Sequence, residues 1–223
     1  KMDETSILTP TNPYAATKAA AEMIALSYYK SFNLPIIITR GNNVYGPNQY
    51  PEKLIPRFIQ LLKSNEKVTI QGNGTSVRAF LHAYDTAKAF ECILEKGKIG
   101  EIYNIGCDEG MEYSVMDIAK LLINMIKKTD SYEEWIEYIE DRPFNDQRYY
   151  ISNQKLKDLG WDIELDLMTG LKDLVFNDYK INLLELNLLN NKKNTKYFGD
   201  WINKIDELKE KFKNAYPFGY VKI

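Results

Sequence analysis

Histidine and cysteine are nearly missing from this chain. A single imidazole, His82, excludes any mechanism or metal site that needs several. Two cysteines, Cys92 and Cys107, suggest neither a disulfide framework nor a metal site, and a reducing compartment fits them. Charge of one sign is missing as well. With 29 basic and 31 acidic residues the net charge is −2, so no electrostatic argument favours nucleic acid or an anionic membrane as a partner. No apolar run reaches the roughly 20 residues of a membrane-spanning helix, and no signal peptide is visible, so a cytoplasmic protein is expected. Also lacking is a glycine-rich phosphate loop: no Gly-x-Gly-x-x-Gly or Gly-x-x-Gly-x-x-Gly run opens a helix after a strand. For a nucleotide-binding α/β protein, that first half is expected upstream of Lys1.

What is present begins with Asn12-Pro13-Tyr14-Ala15-Ala16-Thr17-Lys18. Pro13 suits a first helical turn, where its missing N–H has no partner to lose, and Asn12 suits the cap before it. Residues 15–29 are rich in strong helix formers. Tyr14 and Lys18 are then one turn apart on one face. An ammonium beside a phenol favours phenolate, which makes Tyr14 a candidate base for an alcohol proton. The same spacing also fits an ordinary surface pair.

Residues 34–39 form a short apolar run rich in β-branched side chains, which predicts a strand buried on both faces of a parallel sheet. The turn-forming stretch 40–48 follows as a loop, and the carboxyl end of such a strand is where open α/β sheets bind ligands. An amphipathic helix is predicted over 51–65 and strands over 67–71 and 77–81. Asp85 can cap a helix over 86–95 that Gly97 ends. A strand over 101–105 precedes a helix that Ser114 and Asp117 open as a capping box and that runs to Lys128. A strand over 136–139, a short helix over 154–159 closed by Gly160, and a longer helix over 167–179 complete the pattern. Beyond Asn182 the composition shifts toward Leu, Asn and Lys. An exposed link is predicted at 190–194 and a final amphipathic helix over 201–213. The pattern suits the tail of a doubly wound sheet plus a smaller α+β lobe.

Five stretches together resemble the extended short-chain dehydrogenase/reductase superfamily, and within it the nucleoside-diphosphate-sugar 4,6-dehydratases. They are residues 13–18, 39–47, 51–56, Tyr103-Asn104-Ile105-Gly106 and 141–149, in the family's order and spacing. The wording of 40–56 and 142–149 looks closest to the UDP-glucose enzymes of rhamnose synthesis, with the dTDP-glucose enzymes close behind. The resemblance implies an α/β fold: the carboxyl-terminal part of a Rossmann-type doubly wound parallel sheet plus a smaller α+β substrate-binding domain. Residues 1–46 would end the NAD-binding domain, with 77–106 returning to it. Residues 47–180 would be mainly the substrate domain, and 181–223 a carboxyl-terminal extension.

The implied chemistry is oxidation of the sugar at C4, which makes C5–H acidic, then loss of water across C5 and C6 and return of hydride to C6. Tyr14 would be the base, and Tyr14, Lys18 and Gly41 would meet NAD, with Gly41 letting the backbone approach the nicotinamide. Asn43, Glu52, Lys53, Leu54, Arg78, Arg142 and Asn145 match substrate-binding positions. The two arginines suit a diphosphate, and a helix start suits its charge. Each also has a plain structural reading, as a loop cap, a solvated first turn or a buried arginine. Asn145 and Gln71 depart from residues that dTDP-sugar enzymes often carry. The elimination acid and base, an Asp-Glu pair beside a Thr, are expected upstream of Lys1, and Asp3 and Glu4 read as loop residues. His82 is expected to pack, and Tyr149 and Tyr150 to sit in the core. Family members typically form homodimers through helices that include the Tyr-Lys helix. A UDP-sugar 4-epimerase or decarboxylase on the same fold, and an inactive substrate-binding fragment, are the alternatives.

Overall fold

In the computed structural model, residues 1–141 and 150–177 are described. In chain order the elements are α1 (Pro13–Phe32), β1 (Ile38–Gly41), β2 (Asn43–Tyr45), α2 (Leu54–Lys63), β3 (Val68–Gln71), β4 (Val77–His82), α3 (Ala83–Lys96), β5 (Ile102–Ile105), β6 (Glu112–Ser114), α4 (Val115–Lys127), β7 (Ile136–Ile139), α5 (Gln154–Lys157) and α6 (Leu167–Phe176). Arg142, Asn145, Tyr149, the link at 190–194 and the helix expected over 201–213 lie outside the described residues. No helix among the described residues is long and apolar enough to cross a membrane.

Helix α1 starts as its sequence requires. The Asn12 side chain accepts the Ala15 N–H at 2.8 Å, and Pro13 fills the first turn. The helix ends at Asn33, which takes the left-handed conformation at φ 53°. None of its residues is buried.

Strand β1 pairs in parallel with β5, Arg40 opposite Asn104 and Gly41 opposite Ile105. It starts later than its apolar run suggests and is not buried on both faces. Pro35 has no N–H for a ladder; the Ile36 carbonyl accepts the Gly100 N–H at 2.7 Å, and the paired register begins at Ile38, whose N–H donates to the Glu101 carbonyl at 3.1 Å. Ile38, Thr39 and Arg40 are half-buried and Gly41 is exposed. The 40–48 stretch is likewise more than a loop, since it contributes the end of β1 and all of β2.

Strands β2, β4 and β6 form one sheet, with β2 parallel and β6 antiparallel to the central β4. Strands β3 and β7 pair in parallel. Successive side chains of β4 point to opposite faces, so one strand walls two cores. Phe80 joins Tyr45, Phe58, Leu62, Leu122 and Leu171 on one side, while Ala79 and Leu81 join Ile93, Tyr103, Ile105 and Trp161 on the other. Both cysteines are buried and free, and burial pushes the Cys107 thiol up to about 12.

The start of α3 departs from expectation. His82, not Asp85, is its cap, the imidazole Nδ1 accepting the Tyr84 N–H at 3.1 Å. Asp85 is fully buried, and its carboxylate accepts the N–H groups of Glu164 and Leu165 at 3.1 and 3.2 Å. Trp161 Nε1 donates to the Asp85 carbonyl at 3.0 Å, so one residue pins the segment that leads into α6.

Candidate active site

Two contacts fix the direction of α1 on the β1–β5 pair. Near its carboxyl end, Tyr29 packs against Gly100, just before β5. Seven residues earlier the Glu22 carboxylate accepts from Arg40 Nη2 at 2.6 Å and Nε at 3.0 Å, and Arg40 stands opposite Asn104 in the register. Moving down α1 therefore means moving up the strands, and helix and strands run antiparallel. From Glu22 back to Lys18 is about 6 Å and to Tyr14 about 12 Å at the helical rise. At about 3.3 Å per residue along the strand, Lys18 lies level with Asn42 and Tyr14 level with the start of β2. Both side chains are exposed, Tyr14 at 74 %. Tyr14 and Lys18 thus share one helix face, and by this count their turn comes level with the carboxyl end of β1.

That end of the sheet has room. A side chain built at Gly41 would meet nothing within 4 Å. The Asn42 N–H donates to the Ile105 carbonyl at 3.1 Å, the last rung on β5 before the segment continues as β2 and pairs with β4 instead. Asn43 pairs with Phe80, so Asn43 and Arg78 are diagonal neighbours on one face, and Tyr113 stands opposite Arg78. Arg78 is half-buried, and its Nη1 donates to the Val77 carbonyl at 2.8 Å. Glu52 and Lys53 are exposed and lie 3.9 Å apart as a loose ion pair. Lys53 precedes α2 without a side-chain cap and Leu54 opens the helix, which leaves first-turn N–H groups for an anion. Gln49 Nε2 donates to the Val44 carbonyl at 2.9 Å and folds this turn back toward β2.

The remaining acidic and imidazole groups near the site are engaged elsewhere. The Asp3 carboxyl is held below its usual 3.8 by hydrogen bonds from the Thr5 and Ser6 side chains and the Thr5 N–H. Glu4 Oε1 accepts the Asn104 N–H at 2.8 Å, a strand-anchoring role that loop composition hid. His82 is buried, as expected of a packing residue, with Tyr45 edge-on at 5.1 Å. Burial pushes the Tyr45 phenol upward. Among the described residues no cluster of His, Cys, Asp and Glu could hold a metal ion. Sequence reasoning missed Glu22 and Arg40; the signal was their place, two turns after Tyr14 and at the end of the first strand.

Residues 1–106 match the NAD-dependent epimerase/dehydratase family. Over 178 residues the chain is 48% identical to the dTDP-D-glucose 4,6-dehydratase of Bos taurus, covering 78% of the chain and 50% of that relative. The likeness to that family thus rests on residues 1–106 and on relatives matched over about three quarters of this chain. Another relative is the trifunctional UDP-glucose 4,6-dehydratase/UDP-4-keto-6-deoxy-D-glucose 3,5-epimerase/UDP-4-keto-L-rhamnose-reductase of Arabidopsis thaliana, 50% identical over 169 residues, which are 76% of this chain and 25% of that one. The chain spans about half the length of most of the curated relatives it matches, and a quarter of the trifunctional ones.

Solved structures of the family superpose on it. The dTDP-glucose 4,6-dehydratase of Bacillus anthracis in complex with NAD gives a TM-score of 0.71 at 39% identity, covering 77% of this chain and 53% of that one. The UDP-glucuronic acid 4-epimerase of Bacillus cereus gives 0.69 at 29% identity, covering 76% and 53%. The donor set of this chain fits the nicotinamide-ribose end of such a cofactor. Tyr14 and Lys18 offer exposed hydrogen-bonding groups, and the backbone at Gly41 faces open space.

Proposed function

We propose that this chain is the carboxyl-terminal part of an NAD-dependent nucleoside-diphosphate-glucose 4,6-dehydratase, with UDP-glucose preferred over dTDP-glucose. The observation that carries the reading is the exposed Tyr14–Lys18 turn on a helix whose Glu22 is tied to Arg40 of β1, which by the helical rise brings that turn toward the carboxyl end of β1. Tyr14, Lys18 and Gly41 would hold NAD, which would supply the hydride acceptor for sugar C4 and the hydride donor for C6. Tyr14 takes the proton of the C4 hydroxyl. Lys18, one turn away, favours the phenolate and donates to ribose hydroxyls. Asn43 and Arg78, on one sheet face, hold the sugar nucleotide together with Glu52, Lys53 and Leu54 at the start of α2. Arg142 and Asn145 complete the diphosphate and nucleoside contacts. The acid and base of the elimination come from sequence outside this chain. The enzyme works in the cytoplasm as a homodimer joined through α1. UDP-glucose is favoured because the wording of residues 40–56 and 142–149 is nearest to that of the UDP-glucose enzymes of rhamnose synthesis.

A 4-epimerase is the second reading, favoured by the likeness to the Bacillus cereus enzyme, and it would use the same two residues. The product separates them, since dehydration yields a sugar nucleotide lighter by one water and epimerisation an isomer. The test uses the protein as its gene encodes it. Tyr14→Phe should lower turnover of UDP-glucose about 10²- to 10⁴-fold, with UDP affinity almost unchanged. Near-normal turnover in that variant removes Tyr14 as the base. The 223-residue chain alone is expected to form no 4-keto-6-deoxy product.

A further inference from the structure

Within this chain none of the residues of α1 is fully buried, and the helix meets the β1–β5 pair through Tyr29 at Gly100 and through Glu22 at Arg40. Side chains that interdigitate resist sliding, and Tyr29 against Gly100 supplies such a contact about four turns from Tyr14. The inner positions of α1 include Ala15 and Ala19, too small to lock into a neighbour. Among the described residues, the hydrogen-bonded link between its middle and the sheet is the fork from Arg40 to Glu22, with bonds of 2.6 and 3.0 Å. The side chains are only 18% and 13% exposed, so water screens the pair little. A third bond fixes the guanidinium, Arg40 Nη1 donating to the Glu4 carbonyl at 3.2 Å. Glu4 is itself tied to β5 through the Asn104 N–H at 2.8 Å. Helix, amino-terminal segment and strand thus meet at one planar cation.

Stability alone is a weak reason for such a pair, because desolvating two charges offsets much of their attraction. Geometry is a stronger one. Sliding α1 by one residue shifts Tyr14 by about 1.5 Å and turns it by about 100° about the helix axis. We infer that Glu22 and Arg40 are positioning residues, which set the axial register of the Tyr14–Lys18 turn against Gly41–Asn43 and thereby the rate of sugar oxidation. The inference rests on the proposed function. Neither residue reaches the reacting atoms, since Glu22 lies two turns beyond Tyr14 and Arg40 precedes Gly41 in β1.

The test uses the gene-encoded protein with Glu22→Gln, Arg40→Lys and the exchanged pair Glu22→Arg with Arg40→Glu. Glu22→Gln keeps the shape and loses the charge, and Lys cannot make the two-pronged contact. Two quantities are read. One is the single-turnover rate constant for appearance of reduced nicotinamide, kept separate from its amplitude. The other is hydrogen–deuterium exchange of residues 13–22 against α4, without ligand. Both single variants should slow the rate constant about tenfold to a hundredfold, with amplitude and UDP-glucose affinity within about twofold. Exchange in residues 13–22 should quicken while α4 stays unchanged, and the exchanged pair should recover part of the rate. An unchanged rate constant with a smaller amplitude means a structural link only and overturns the inference. If Tyr14→Phe, run alongside, leaves the rate constant intact, the functional reading is what fails. Exchange then decides alone, and unaltered exchange in Glu22→Gln rejects the positioning role.

Discussion

His82 caps α3 through an imidazole nitrogen that accepts the Tyr84 N–H at 3.1 Å, in surroundings that leave the residue 7% exposed. Protonating Nδ1 would end that acceptance and place a charge in the core. Burial accordingly lowers the His82 pKa from its ordinary 6.5, with Asp85 and Asp173 pulling the other way. The unfolded chain therefore takes up the proton first as pH falls. Stability from neutral His82 is complete above about 6.5 and drains away below it. Because the chain has one histidine, the imidazole part of that slope belongs to one residue. Urea midpoints should fall between about pH 7.5 and about pH 5.5, and His82→Asn, which keeps an acceptor but cannot titrate, should flatten the change. An equal slope in the variant would assign it to carboxylates instead.

Helix α6 shows packing overruling propensity. Alanine is favoured over glycine inside a helix by about 1 kcal/mol, so Gly170→Ala would help α6 in isolation. In the protein, Gly170 lies directly under the Tyr45 phenol, and an added methyl would run into its oxygen and ring. Tyr45 is 1% exposed and cannot step aside into solvent. Gly170→Ala should destabilise the protein by about 1–3 kcal/mol in equilibrium unfolding. Tyr45→Phe, which removes the phenol oxygen, should relieve part of this in a double-mutant cycle.

At this scale local chemistry made much of the fold legible. Asn12-Pro13 marked the start of α1, Ser114 and Asp117 form both halves of the capping box at α4, and the β-branched run at 68–70 became β3. What stayed hidden depends on distant partners. Strand β6 is three residues long and shares Ser114 with the cap of α4, so no alternation identifies it. Asp85 looks like a cap in sequence, yet its carboxylate is used some 80 residues away. The Tyr14–Lys18 spacing was readable because it is local. The place of Asn43 beside Arg78 became visible only with the register of β2 on β4.

Across the described part of the molecule, apolar side chains left outside the two cores gather on helices. Met23, Ile24, Tyr28 and Phe32 of α1 are exposed, as are Phe90 and Leu94 of α3. The homodimer proposed through α1 would cover the first group. In the gene-encoded protein, Met23→Lys with Ile24→Lys should halve the mass read by light scattering while leaving the circular dichroism intact. A dimer that survives both changes would move the interface off α1.

The absence of any buried residue in α1 also bears on how assembly and turnover relate. Its rigidity depends on what lies against it, so a neighbour that quiets the helix lowers the entropy that a ligand must remove at Tyr14 and Lys18. Ligand and neighbour would then reinforce one another energetically, through damped fluctuation alone, with no second conformation required.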